Sequence, residues 1–73
     1  MGNRLPKPYL LTQLNKRSPG PTGEFDSFKE ALETVRAWIA SQGFVGEEMA
    51  AMAGLEIHGP RGLEWSFRAP SGN

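Results

Sequence analysis

The chain has 73 residues, enough for one small domain (1–73), and its 8 basic side chains balance its 8 acidic ones to a formal net charge of zero. Such a balance excludes a strongly basic nucleic-acid binder and an equally strong acidic mimic of DNA, and no apolar run reaches the roughly 18 residues of a membrane span. With no cysteine and one histidine, disulfides, thiolate metal sites and cysteine nucleophiles are absent, and structural zinc has too few soft ligands. The first residues, Met1 to Pro8, lack the apolar stretch of a signal peptide. The expectation is a cytoplasmic protein with no cofactor, no bound metal and no membrane partner.

Apolar residues make up 38% of the chain, below the usual roughly 45–50%. Large side chains compensate: Tyr9, Phe25, Phe28, Trp38, Phe44, Trp65 and Phe67 each bury about 150–250 Å² when packed. One layer of helix on one layer of sheet is what this inventory covers. A chain this short is marginal alone, so dimerisation would relieve it.

In chain order, Pro6 and Pro8 hold residues 1–8 as an extended arm. Tyr9 to Leu14 predicts a strand. Leu10, Thr12 and Leu14 share one face of it, and Tyr9, Leu11 and Gln13 the other. Leu10 and Leu14 are expected to face the helix; in the reversed register Tyr9 and Leu11 would be core. Residues 15–24, rich in Pro, Gly, Ser and Asn, predict a long flexible loop. Ser27 with Glu30 forms a capping box. Phe28, Ala31, Leu32, Val35, Trp38 and Ile39 then repeat at helical spacing, and Gly43 stops the helix, so 28–42 is predicted helical. Residues 46–53, ended by Gly54, are a short helix or a loose connection.

The C-terminal part predicts a hairpin. Leu55, Ile57, Leu63, Trp65 and Phe67 point one way; Glu56, His58, Glu64, Ser66 and Arg68 point the other. Gly59-Pro60-Arg61-Gly62 is the turn, and 69–73 is a loose tail. The predicted fold is α+β: one amphipathic helix on a three-stranded antiparallel sheet, in the order β-α-(short α)-β-β, with the opposite sheet face open and polar.

Few residues carry chemistry. Arg4, Lys7, Lys16 and Arg17 stand in the first twenty residues with no acid among them, whereas 21–56 is predominantly acidic. That asymmetry would steer an acidic partner or a phosphate backbone. His58 is the one side chain suited to acid–base work near neutral pH, with Glu56 on the same face and Glu64 or Ser66 across the hairpin. A flat, wet face supplies neither desolvation nor an oxyanion hole, so a solvated histidine is expected there and no enzyme activity. Glu24, Asp26, Glu30 and Glu33 lack calcium-loop spacing. Trp65 and Phe67 share the core phase rather than forming a stacking platform.

A short strand, a loop, a capped helix opening Ser27-Phe28-Lys29-Glu30-Ala31-Leu32 and the hairpin Leu55-Glu56-Ile57-His58-Gly59-Pro60-Arg61-Gly62-Leu63-Glu64-Trp65-Ser66-Phe67 together resemble small β-α-β-β proteins of phages and mobile elements. Among these are type I anti-CRISPR proteins that occupy surfaces of the crRNA-guided surveillance complex; small bacterial domains of unknown function share the layout. The resemblance covers residues 9–68 in the order of elements. It implies a non-catalytic binding module, an inhibitor that sterically covers another protein or a protein–RNA complex, and it draws attention to Lys16 and Arg17. The expected partner-binding face presents Tyr9, Leu11, His58 and Arg68, with charge added by Arg4, Lys7, Lys16, Arg17 and Arg61. Alternative readings are a nucleic-acid-binding module using the basic arm and loop, and a structural homodimer that pairs sheet edges.

Overall fold

The computed structural model describes residues 7–67. Arg4, Arg68, the tail 69–73 and all but the last two residues of the predicted arm lie outside them. The elements are β1 (Tyr9–Gln13), β2 (Gly23–Phe25), α1 (Phe28–Ser41), a 3-10 turn (Gly43–Val45), α2 (Gly46–Ala53), β3 (Leu55–Gly59) and β4 (Gly62–Ser66). The fold is α+β, with an antiparallel sheet in the order β2-β1-β3-β4. Among the described residues, no helix is long and apolar enough to cross a membrane.

The sheet has four strands where three were expected. The extra one, β2, takes Gly23 and Glu24 from the end of the predicted loop. Its three residues include a glycine and a glutamate, poor strand formers, so no local pattern announces it. Pairing with β1 creates it, setting Tyr9 against Phe25 and Leu11 against Gly23, and Phe25 packs on the core.

The capped helix forms as its sequence dictates. Ser27 is extended, and its hydroxyl accepts a hydrogen bond from the Glu30 amide at 3.2 Å. Gly43, just past the end, takes a φ of +71°, a conformation that favours glycine. Ala31 and Val35 are buried, while Phe28, Leu32, Trp38 and Ile39 pack around them. α1 lies over β1, β2 and β3.

Residues 46–53 are helical. Gly46 is buried at the start of α2, where any side chain would strike the Ile39 carbonyl of α1. At the other end, Gly54 is left-handed (φ +68°). The amides of Leu14 and Asn15 donate to the carbonyls of Gly54 and Ala53, each at 3.0 Å. The end of β1 thus satisfies carbonyls that a helix terminus leaves without partners.

Two expectations about facing are corrected. In β1 the register is the reverse of the expected one: Leu11 is fully buried, whereas Leu10 and Leu14 are exposed. Leu11 pairs with Ile57 and Gln13 with Leu55, so the alternation of β3 imposes its phase on β1. Tyr9 follows Leu11 inward and meets the Phe28 ring edge-on, centroids 6.3 Å apart. In β4, Ile57 pairs with Trp65 but His58 pairs with Leu63, across an irregularity between Ile57 and His58. That bulge turns Leu63 to the open face, away from Trp65.

Candidate functional site

The face of the sheet away from α1 is a built surface rather than a purely polar one. Cross-strand register places Glu24, Leu10, His58 and Leu63 in one row and Thr12, Glu56 and Ser66 in the next. Side chains directly opposite on one face are close neighbours, so the imidazole stands between two leucines. Leu10 is 42% exposed and Leu63 53%, enough for both to offer apolar surface to a partner. His58 Nε2 lies 3.1 Å from Glu56 Oε1, with Glu56 the more buried of the pair. The interaction spans i to i+2 along β3, the spacing that puts two side chains on one face of a strand. With a proton on Nε2 the imidazole donates to the Glu56 carboxylate, a charge-assisted hydrogen bond.

The row continues into a cleft of about 500 Å³, lined by Leu10, Thr12, Gln13, Lys16, Thr22 and Glu24. Its wall is the 14–22 loop, which hydrogen bonds hold. The Gln13 side-chain amide donates to the carbonyls of Asn15 and Ser18 at 2.9 and 2.6 Å. The Asn15 side-chain amide donates to the Ser18 hydroxyl at 2.9 Å, and its oxygen accepts from the Arg17 backbone amide at 3.1 Å. Lys16 is therefore carried at the margin of the open face, with Arg17 beside it in sequence. Among the described residues, neither of these two cations lies within ion-pair distance of an acid.

The other predicted site residues are not gathered there. Leu11 is core and Tyr9 is half-buried on the helix side of the sheet, because the β1 register is reversed. Arg61 is exposed in the hairpin turn and lines a separate cleft with Tyr9, Pro60 and Glu64. Glu64 is not on the open face beside His58; its carboxylate lies over Gly59 next to the Tyr9 ring, where a β-carbon on residue 59 would strike both. Lys7 approaches Asp26 at 3.9 Å with both side chains well exposed, a contact of little energetic weight. Arg4 and Arg68 lie outside the described residues.

Leu10, Leu63 and Glu24 belong to the open face and were not among the predicted contacts. No sequence signal fixes the face of Leu10, because β1 has apolar residues on both faces; its pairing with β3 decides it. No sequence signal marks the bulge that turns Leu63. Phe44, 98% exposed in the 3-10 turn, is another apolar side chain that the core does not use; it follows the helix-stopping Gly43, where the apolar stripe has ended. No protein-family model matches the chain, and neither the curated proteins nor the solved structures offer a match.

Proposed function

We propose that the chain is a non-catalytic protein-binding module whose contact surface is the open sheet face centred on Leu10, His58 and Leu63. The observation that carries the reading is the row itself. Two exposed leucines flank a histidine on an antiparallel ladder, with no layer of the described residues covering them, and exposed apolar side chains set among polar ones are what interface anchors look like. Lys16 at the margin supplies charge for orientation rather than affinity. The same face argues against catalysis: the neighbours of His58 directly across the strands are leucines, the hydroxyls of Thr12 and Ser66 stand one row away, and an open sheet face gives a reacting group little desolvation. Steric cover of a partner surface is the mechanism that an exposed sheet face of this kind serves.

The test is comparative capture from bacterial lysate, with and without nuclease, using the wild type, a Leu10→Glu/Leu63→Glu double variant and an Arg61→Glu control. The expected result is a stoichiometric protein that survives nuclease, stays with the control and is lost from the double variant at unchanged far-UV circular dichroism. A bound set that disappears with nuclease would replace this reading with nucleic-acid binding. Equal capture by the wild type and the double variant would remove the open face as the site.

A further inference from the structure

We propose that β4 is the pairing edge for a second copy of this chain, joined antiparallel about a twofold axis at Ser66. The proposal is independent of the open-face reading, since it uses the strand edge and the opposite side of the sheet. Its starting point is the backbone. The Phe67 amide donates to the Leu55 carbonyl at 2.9 Å, and Ser66 stands opposite Glu56. In an antiparallel ladder hydrogen-bonded and non-hydrogen-bonded pairs alternate. The pair Leu55–Phe67 is bonded inward, so Ser66 turns its own N–H and C=O away from β3, toward the edge that no other described strand covers. One residue with both groups outward is what a twofold axis needs: each Ser66 donates to and accepts from the other.

That register has a consequence on the helix side of the sheet. It sets Trp65 of each copy opposite Phe67 of the other, in the closer, non-hydrogen-bonded type of pair. Within one copy these rings already lie 6.2 Å apart and are only partly buried. They line a cleft of about 350 Å³ with Leu32 and Ile39, and Arg36 and Glu47 also line it. Pairing would close four aromatic rings into one cluster, where aromatic cross-strand pairs are favourable. Arg36 and Glu47 put both signs of charge on the cleft, and neither is paired with an acid or base among the described residues. An isologous contact presents the same patch twice, so opposite charges can be matched on both sides of the axis. At zero net charge no long-range repulsion opposes the approach.

The two edges of the sheet also differ in protection. β2 keeps a charge, Glu24, in its middle, and charge on an edge strand resists pairing. Around the axis, Trp65, Ser66 and Phe67 bring neither charge nor proline, and the nearest charge in β4, Glu64, is drawn back over Gly59.

Sedimentation of the purified chain, alone, tests the proposal. The wild type is expected to show a concentration-dependent dimer. Ser66→Pro removes the axial N–H, which the fold does not use, and proline is tolerated where a strand's N–H faces outward. It should weaken association by about tenfold or more at unchanged circular dichroism. Because the chain has no cysteine, Ser66→Cys supplies a second reading. Mild oxidation should link two copies through residue 66, while Leu10→Cys on the open face should link far less. A wild type that stays monomeric, or a dimer that links through Leu10→Cys rather than Ser66→Cys, would overturn the edge assignment without touching the open-face proposal.

Discussion

Leu10 and Leu11 are adjacent and chemically identical, and the pleat gives them opposite fates. Leu11 fills the core between β3 and the helix layer, whereas Leu10 stands beside His58 with 42% of its surface exposed. Truncating a buried leucine removes both transfer energy and packing, so Leu11→Ala should cost about 2–5 kcal/mol. Leu10→Ala should stay within about 0.5 kcal/mol. Urea unfolding of the two variants measures the register directly, and equal costs would mean that β1 is threaded differently. Gly46 makes the complementary point about close approach. Its absent side chain allows α2 to start against the Ile39 carbonyl, a backbone atom that cannot swing aside. Gly46→Ala should destabilise by about 1–3 kcal/mol through overpacking, seen as a lowered thermal midpoint.

Among the elements, α1 is the one whose start, face and stop are all written locally. Replacing Ser27 by alanine removes the acceptor for the Glu30 amide and should cost about 1 kcal/mol, with helix content retained because the apolar face still packs. A loss indistinguishable from zero by chemical denaturation would show that the cap is redundant with that packing. The hairpin is the opposite case. Its alternation predicts two strands and the turn between them correctly, yet one bulge residue is enough to move Leu63 from the core face to the open one. Alternation has a period of two, so any single insertion reverses the facing of a residue. The three residues of β2 carry no period at all and exist because β1 offers them partners.

Over the whole molecule, the balance of charge sets the long-range force between copies. The sequence pI is about 6.6, so repulsion between copies is least near neutral pH and grows on either side. Solubility should be lowest close to that pH, and the proposed edge-paired dimer should be most populated there. Light scattering across a pH series reads the first and sedimentation the second. Small size acts in the same direction: a domain that buries little of its surface would gain most from covering Trp65, Phe67 and an edge that no other described strand pairs.

The one-dimensional pattern was sufficient for the α+β class, for a helix with its serine cap and glycine stop, expected over 28–42 and found over Phe28–Ser41, and for the hairpin turn at Pro60-Arg61. These follow from interactions within a few residues, where spacing and residue type decide the outcome. It was sufficient also to put Glu56 and His58 on one face, because two residues of one strand need no partner to agree. The phase of β1, the existence of β2 and the turning of Leu63 were decided by pairing between strands distant in the chain. A strand with apolar residues on both faces has two nearly equivalent ways to lie. Only its neighbours choose between them, and in this molecule that choice took Tyr9 and Leu11 out of the candidate surface and put Leu10 and Leu63 into it.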